Sequence, residues 1–248
     1  MNNGGKREMT DLKNNKVFQV SKWIVLCGLV ILLITLFISS SSSKVDHSDT
    51  VWDTRTTIGN IDAKNYYIQY TDLACPYCTV FSREIMNHED EFKKDYIEDE
   101  DILYEVRATD MIYEYSDAHA QMSRDSAEAI YCATEEDKFW DYYHAALAAL
   151  WNDYQSNGIG VSKTSEPITD LPANYWLNIG KSIGLGDQFA ECLSSHKMVS
   201  KVQENTEKAA RLTNGLPYFK FNKFATGGFD NNWGWDYVKK YLDSGLKK

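Results

Sequence analysis

Asn65-Tyr66-Tyr67-Ile68-Gln69-Tyr70, a strand-like run of aromatic and β-branched residues, is followed after four positions by Cys75-Pro76-Tyr77-Cys78. A helix-like stretch over residues 77–93 comes next, and then Ile102-Leu103-Tyr104-Glu105-Val106-Arg107, which alternates apolar and polar as a half-buried strand does. Strand, CxxC, helix, strand is a βαβ unit. Such a unit expects two parallel strands joined by a right-handed crossover, which places the chain in the α/β class.

Beyond about Ser116 the pattern becomes helical. Ala118, Met122, Ala129 and Ala133 recur at helical spacing, and Thr134 to Asp137 reads as a capping box ahead of Phe139, Tyr143, Leu147 and Leu150. A loop from Asn152 to Pro172 carries Gly158, Gly160 and Pro167; helical patterns then run through 174–183, 187–194 and 197–213 and stop at Asn214-Gly215. Tyr218-Phe219-Lys220-Phe221 returns to strand chemistry, Gly227-Gly228 marks a turn or bulge near a second strand, and Trp235 to Leu242 closes as an amphipathic helix. The expected organisation is a β/α domain over 58–114 and 215–248, split by a helical insertion over 115–214. Trp140, Tyr142, Tyr143, Trp151 and Trp176 in that insertion are read as core, or as lining of a groove; the acidic run Glu98 to Asp101 is read as a solvated loop.

The N-terminal part obeys different rules. Trp23 to Ile38 carries no charge, and Ser39 to Ser43 extends the run to about the length that crosses a bilayer, so 23–43 is expected to be a transmembrane anchor. Lys6, Arg7, Lys13, Lys16 and Lys22 precede it and only Lys44 follows closely, which puts the tail 1–22 in the cytoplasm and the rest of the chain outside. A cleaved signal peptide is the rival reading. The Ser/Asp/Thr-rich stretch 44–57 is expected to be a linker. The chain of 248 residues has a formal charge of −10, and 21 basic against 34 acidic residues follow residue 43, which argues against a nucleic-acid partner.

Outside the cytoplasm disulfides persist. Cys27 falls inside the apolar run; Cys75, Cys78, Cys132 and Cys192 remain and permit three pairings, of which local spacing favours Cys75 with Cys78 and leaves Cys132 with Cys192. The alternative for the second pair is two separate buried thiols. A thiolate is the nucleophile in disulfide exchange, and a helix starting at Cys75 would supply its ionisation through unpaired N–H groups and the positive end of the helix dipole. Cys75 is then the attacking thiol and Cys78, one turn in, the resolving one. Pro76 suits the first helical position, and Tyr77 lies where it can modulate the thiolate. A structural zinc site is disfavoured by the lack of a second CxxC and of ligand spacing among His47, His88, His119, His144 and His196. A purely structural bridge over so short a loop would gain little entropy.

The chain resembles the thioredoxin superfamily, and within it the DsbA-like thiol:disulfide oxidoreductases of bacterial cell envelopes. The resemblance covers residues 55–245 and rests on Tyr67 to Cys78 (YIQYTDLACPYC), Ala127 to Leu147, Phe189 to Leu193 (FAECL) and Gly215 to Asn222 (GLPYFKFN). It implies a thioredoxin-like fold with a large helical insertion, and a cis proline at Pro217 whose loop, with Leu216, binds substrate backbone beside the cysteines. It also implies that Cys132 and Cys192 form an additional bridge within the insertion. Two positions depart from the family pattern. Leu216 stands where Val or Thr is common, and Gln69 stands where a buried acid often sits six positions before the first cysteine. Asp72 is the nearest acid in sequence that could serve instead; its other reading is a cap of the strand-to-helix turn.

The function implied is oxidation of cysteine pairs in reduced or misfolded exported proteins, with recharging by a quinone-linked membrane partner and with no cofactor or metal. A reductase or isomerase on the same fold is the nearest alternative, because a mixed disulfide on Cys75 serves all three directions. A chaperone-like binding module is the third.

Overall fold

A computed structural model of the chain describes residues 52–112, 120–168, 171–222, 224–227 and 234–246. The expected tail 1–22 and anchor 23–43 lie outside these residues. Among the described residues no helix is long and apolar enough to cross a membrane.

Five strands, β1 (Thr57–Ile58), β2 (Asn65–Thr71), β3 (Ile102–Ala108), β4 (Tyr218–Phe221) and β5 (Phe224–Gly227), form one sheet in the order β1-β3-β2-β4-β5. β2 and β3 run parallel, with Tyr67 opposite Tyr104 and Gln69 opposite Val106, as the βαβ pattern requires. The remaining pairs are antiparallel. The short β1 was not foreseen. It sits at the end of the expected linker, where Thr56 is already buried and its hydroxyl donates to Glu105 Oε1 at 3.3 Å, so the folded chain begins before residue 58.

The crossover helix α1 (Pro76–Asn87) is shorter than the 77–93 expected. It turns Cys78, Phe81, Ser82 and Ile85 inward, the i, i+3, i+4, i+7 stripe of a helix lying on a sheet. The helix breaks at His88, which leaves helical geometry and stacks on Trp235 with ring centroids 4.8 Å apart. A short helix Glu89–Phe92 and a π turn Lys93–Glu98 carry the chain on to β3. On this side of the sheet Tyr67 lies between Tyr104, Phe219 and Phe221, its ring 4.4 Å from that of Phe221. The closing helix α7 (Trp235–Leu246) adds Val238 and Leu242 to the same core.

Between β3 and β4 run α2 (Ala120–Cys132), α3 (Phe139–Asp153), α4 (Ala173–Ser182), α5 (Asp187–Ser194) and α6 (Val199–Leu212). α6 buries Val202, Asn205, Thr206 and Ala209, and Ala209 packs with Ile68, Tyr70 and Met111 on the opposite face of the sheet. Tyr142, Tyr143 and Trp176 are buried, while Trp140 and Trp151 are half-buried, Trp151 with the Arg83 guanidinium 3.4 Å above its ring.

The capping box over Thr134 to Asp137 does not form. Ala133–Glu136 is a 3-10 turn, the Thr134 hydroxyl donates back to the Tyr131 carbonyl at 2.6 Å, and Lys138 precedes α3 with no side-chain cap. The Glu136 carboxylate instead accepts from the Gly186 N–H at 3.0 Å and the Phe189 N–H at 3.1 Å, capping the distant start of α5.

Candidate active site

β2 ends at Thr71, and the chain turns through Asp72 to Cys75, whose N–H donates to the Asp72 carbonyl at 3.0 Å. Cys75 is the N-cap of α1, with Pro76 at the first helical position, where its missing N–H removes no bond. Cys75 retains 6 % exposure and Cys78 none, and both are free thiols. Their environments split them. A hydrogen bond from the Cys78 thiol pulls the Cys75 pKa below its ordinary value against the penalty of burial, helped by the backbone N–H groups of Cys78 and Tyr77. Burial pushes Cys78 well up, and the neighbouring Cys75 sulfur adds to this, offset in part by the Asp72 N–H. The thiol that ionises is the one nearer solvent.

Opposite it stands the Leu216–Pro217 loop, whose peptide bond is cis. The Leu216 carbonyl accepts from Cys75 Sγ at 3.6 Å, while Leu216 packs against the cluster that holds Ile68, Tyr70 and Tyr218. A groove of about 560 Å³ opens beside Cys75, walled by Leu73, Ile112, Ile168 and Leu216, with Gln155 and Lys163 among its polar lining. Gln155 was not singled out from the sequence. Its Nε2 donates to the Thr79 hydroxyl at 2.5 Å and that hydroxyl to the Pro76 carbonyl at 2.9 Å, tying the far wall to the first turn of α1. The sequence from Asn152 to Pro172 reads only as a loop, because nothing in it gives the fold-back.

Asp72 is 1 % exposed and does cap the turn, accepting from the Ala74 N–H at 2.8 Å through Oδ1. Its Oδ2 accepts from the Ile112 N–H at 2.9 Å and the Ser123 hydroxyl at 2.5 Å, so one carboxylate joins the cysteine turn to the segment that follows β3 and to α2. Burial raises its pKa to about 6 against these three donors. When ionised it opposes the charge on both cysteines.

Gln69 lies in the sheet beneath α1, fully buried. The Tyr104 hydroxyl donates to its Oε1 at 2.6 Å, and its Nε2 donates to Ser82 Oγ at 2.7 Å. Tyr143 donates to the same Ser82 oxygen at 2.7 Å. Spacing alone gave no hint of this cluster, since Tyr143 comes from the insertion. Cys132 and Cys192, by contrast, are away from the groove and bonded to each other, S–S 2.05 Å, joining α2 to α5.

The thioredoxin family model matches residues 52–243 of the chain. Among solved structures the fold is similar to oxidised BdbD from Bacillus subtilis, at 19% identity over 78% of this chain and 93% of that one, TM-score 0.56. It is also similar to the thiol-disulfide exchange protein alpha-DsbA2 from Wolbachia pipientis, at 18% identity over 80% and 91%, TM-score 0.54. ScsC from Proteus mirabilis in a transitional conformation aligns at 18% identity over 100% and 97%, TM-score 0.53. At these identities the likeness is one of fold. No curated protein matches the sequence.

Proposed function

Because the chain belongs to the thioredoxin family, we propose that it is a thiol:disulfide oxidoreductase that oxidises cysteine pairs of exported proteins through Cys75 and Cys78. The observation that carries this reading is the asymmetry of the pair. Cys75, at a helix N-terminus and facing the Leu216 carbonyl, is held below its ordinary pKa, and Cys78 behind it is held above. A stabilised Cys75 thiolate favours the reduced pair and so makes the disulfide an oxidant. The exchange activity ascribed to the Wolbachia neighbour supports the same chemistry here.

In the oxidised protein a substrate thiolate attacks Cys75 Sγ, the Cys75–Cys78 bond breaks, and its electron pair leaves on Cys78. The second substrate thiolate then attacks the substrate sulfur of the mixed disulfide and releases Cys75 as thiolate. The substrate gains a disulfide and the protein two thiols. The Leu216–Pro217 loop would pair with substrate backbone, and the apolar groove would hold the flanking side chains. The uncharged run from Trp23 and the lysines ahead of it support an extracytoplasmic domain on a single anchor, recharged by a quinone-linked partner in the same bilayer.

One observation favours the reverse direction: ionised Asp72 opposes the Cys75 thiolate and weakens the oxidant. A reductase or isomerase is therefore the second reading. The test is to mix the oxidised full-length chain with a reduced, unfolded dithiol substrate. Stoichiometric oxidation is expected, with none from Cys75→Ser; failure of the unmutated protein to oxidise would overturn the oxidase reading.

A further inference from the structure

In either direction of exchange Cys78 has to carry a negative charge, as leaving group or as nucleophile, in a site with no solvent exposure. Gln69 cannot take its proton. We propose that Ser82 is a positioning residue, its hydroxyl poised by Gln69 and Tyr143 to donate to the Cys78 thiolate; this deepens, and rests on, the assignment of Cys75 and Cys78 as the exchanging pair.

Ser82 follows Cys78 by four residues, so the two side chains are neighbours one turn apart on the inward stripe of α1. Its oxygen accepts from Gln69 Nε2 and from the Tyr143 hydroxyl, both at 2.7 Å, which occupies its two lone pairs. Among the described residues it donates to nothing. On the other side of the amide Tyr104 donates to Gln69 Oε1 at 2.6 Å, which leaves the N–H end facing Ser82. A glutamate at 69 would reverse the bond, drawing the Ser82 proton to itself. Thr71, on the same face of β2 as Gln69, adds a second buried hydroxyl beside Tyr143. Tyr143 is close enough to Cys78 for the sulfur's charge to act on it. A buried cluster in which the Ser82 proton is uncommitted is arranged to receive an anion, and Cys78 lies one helical turn away. Gln69 thus does a different job from the acid it replaces: the acid would accept a proton, whereas the amide frees a hydroxyl to donate one.

The test isolates Cys78 in the Cys75→Ala variant of the full-length chain and titrates its thiolate by ultraviolet absorbance. Adding Ser82→Ala should move the midpoint upward by about one pH unit, a tenfold loss in ionisation constant, the scale of one hydrogen bond to a charged group. Ser82→Thr, which keeps the hydroxyl, should restore it, and Gln69→Glu should raise it. Thermal unfolding of each variant reports whether the fold is kept, and recovery of the midpoint in Ser82→Thr separates loss of the hydroxyl from a change in burial. An unchanged Cys78 midpoint in Ser82→Ala overturns the proposal even if the unmutated protein exchanges disulfides; loss of exchange in the unmutated protein would instead refute the function.

Discussion

Asp72 shows how a single buried carboxylate can tie structure and redox chemistry together. Its pKa rises from 3.8 to about 6 because burial outweighs three hydrogen bonds, so folding favours its neutral form. A raised carboxyl pKa contributes stability that is complete below the unfolded value and is lost as pH rises through 6. The difference corresponds to about 3 kcal/mol. Between pH 4 and pH 7 the unmutated protein should therefore lose about that much stability relative to Asp72→Asn, measured by urea unfolding at each pH; parallel curves would refute the assignment. The same substitution removes a charge that opposes Cys75, so its thiolate should form at lower pH, read by ultraviolet absorbance. Cys75 and Cys78 stand out in the sequence by their spacing after a strand, whereas Pro217 and Gln69 stand out only through the family resemblance. The partners of Asp72 stand out in neither way: Ile112 and Ser123 lie 40 and 51 residues away and meet it only through the fold.

Elements were legible where their pattern was local and amphipathic. α1, α6 and the β2–β3 pair follow from spacing, because each buries one stripe or one face. The errors came where long-range partners decide. The two-residue β1 exists only because Thr57 pairs with Glu105, and Glu136 caps α5 rather than its own neighbour. The Cys132–Cys192 bridge links α2 to α5 across 60 residues. Replacing both cysteines by Ala should cost on the order of 4 kcal/mol in the chain-entropy picture, seen as a lower unfolding midpoint, with Cys75–Cys78 exchange retained. The contact of α4 with α5 is equally specific: a Cβ on Gly180 would lie 2.3 Å from Phe189 Cε1, in a core where Phe189 is 1 % exposed. Gly180→Ala should destabilise by ~1–3 kcal/mol in urea unfolding, the usual cost of overpacking.

Across the whole molecule, a strand–CxxC–helix–strand unit and a proline loop from the far end of the chain converge on one sulfur, with a helical insertion building the groove beside it. The α/β class and the interruption by helices could be read from the sequence, since the strand-like segments flank a long helical stretch. The strand order and the fold-back of residues 155–168 could not, because both depend on which faces meet. On the proposed function this convergence makes Cys75–Cys78 an oxidising pair, which the reduction potential of that pair decides. Equilibrating the full-length chain against glutathione mixtures and trapping the thiols should give a value near about −120 mV, in the range of DsbA; a value near about −270 mV, in the range of thioredoxin, would contradict it.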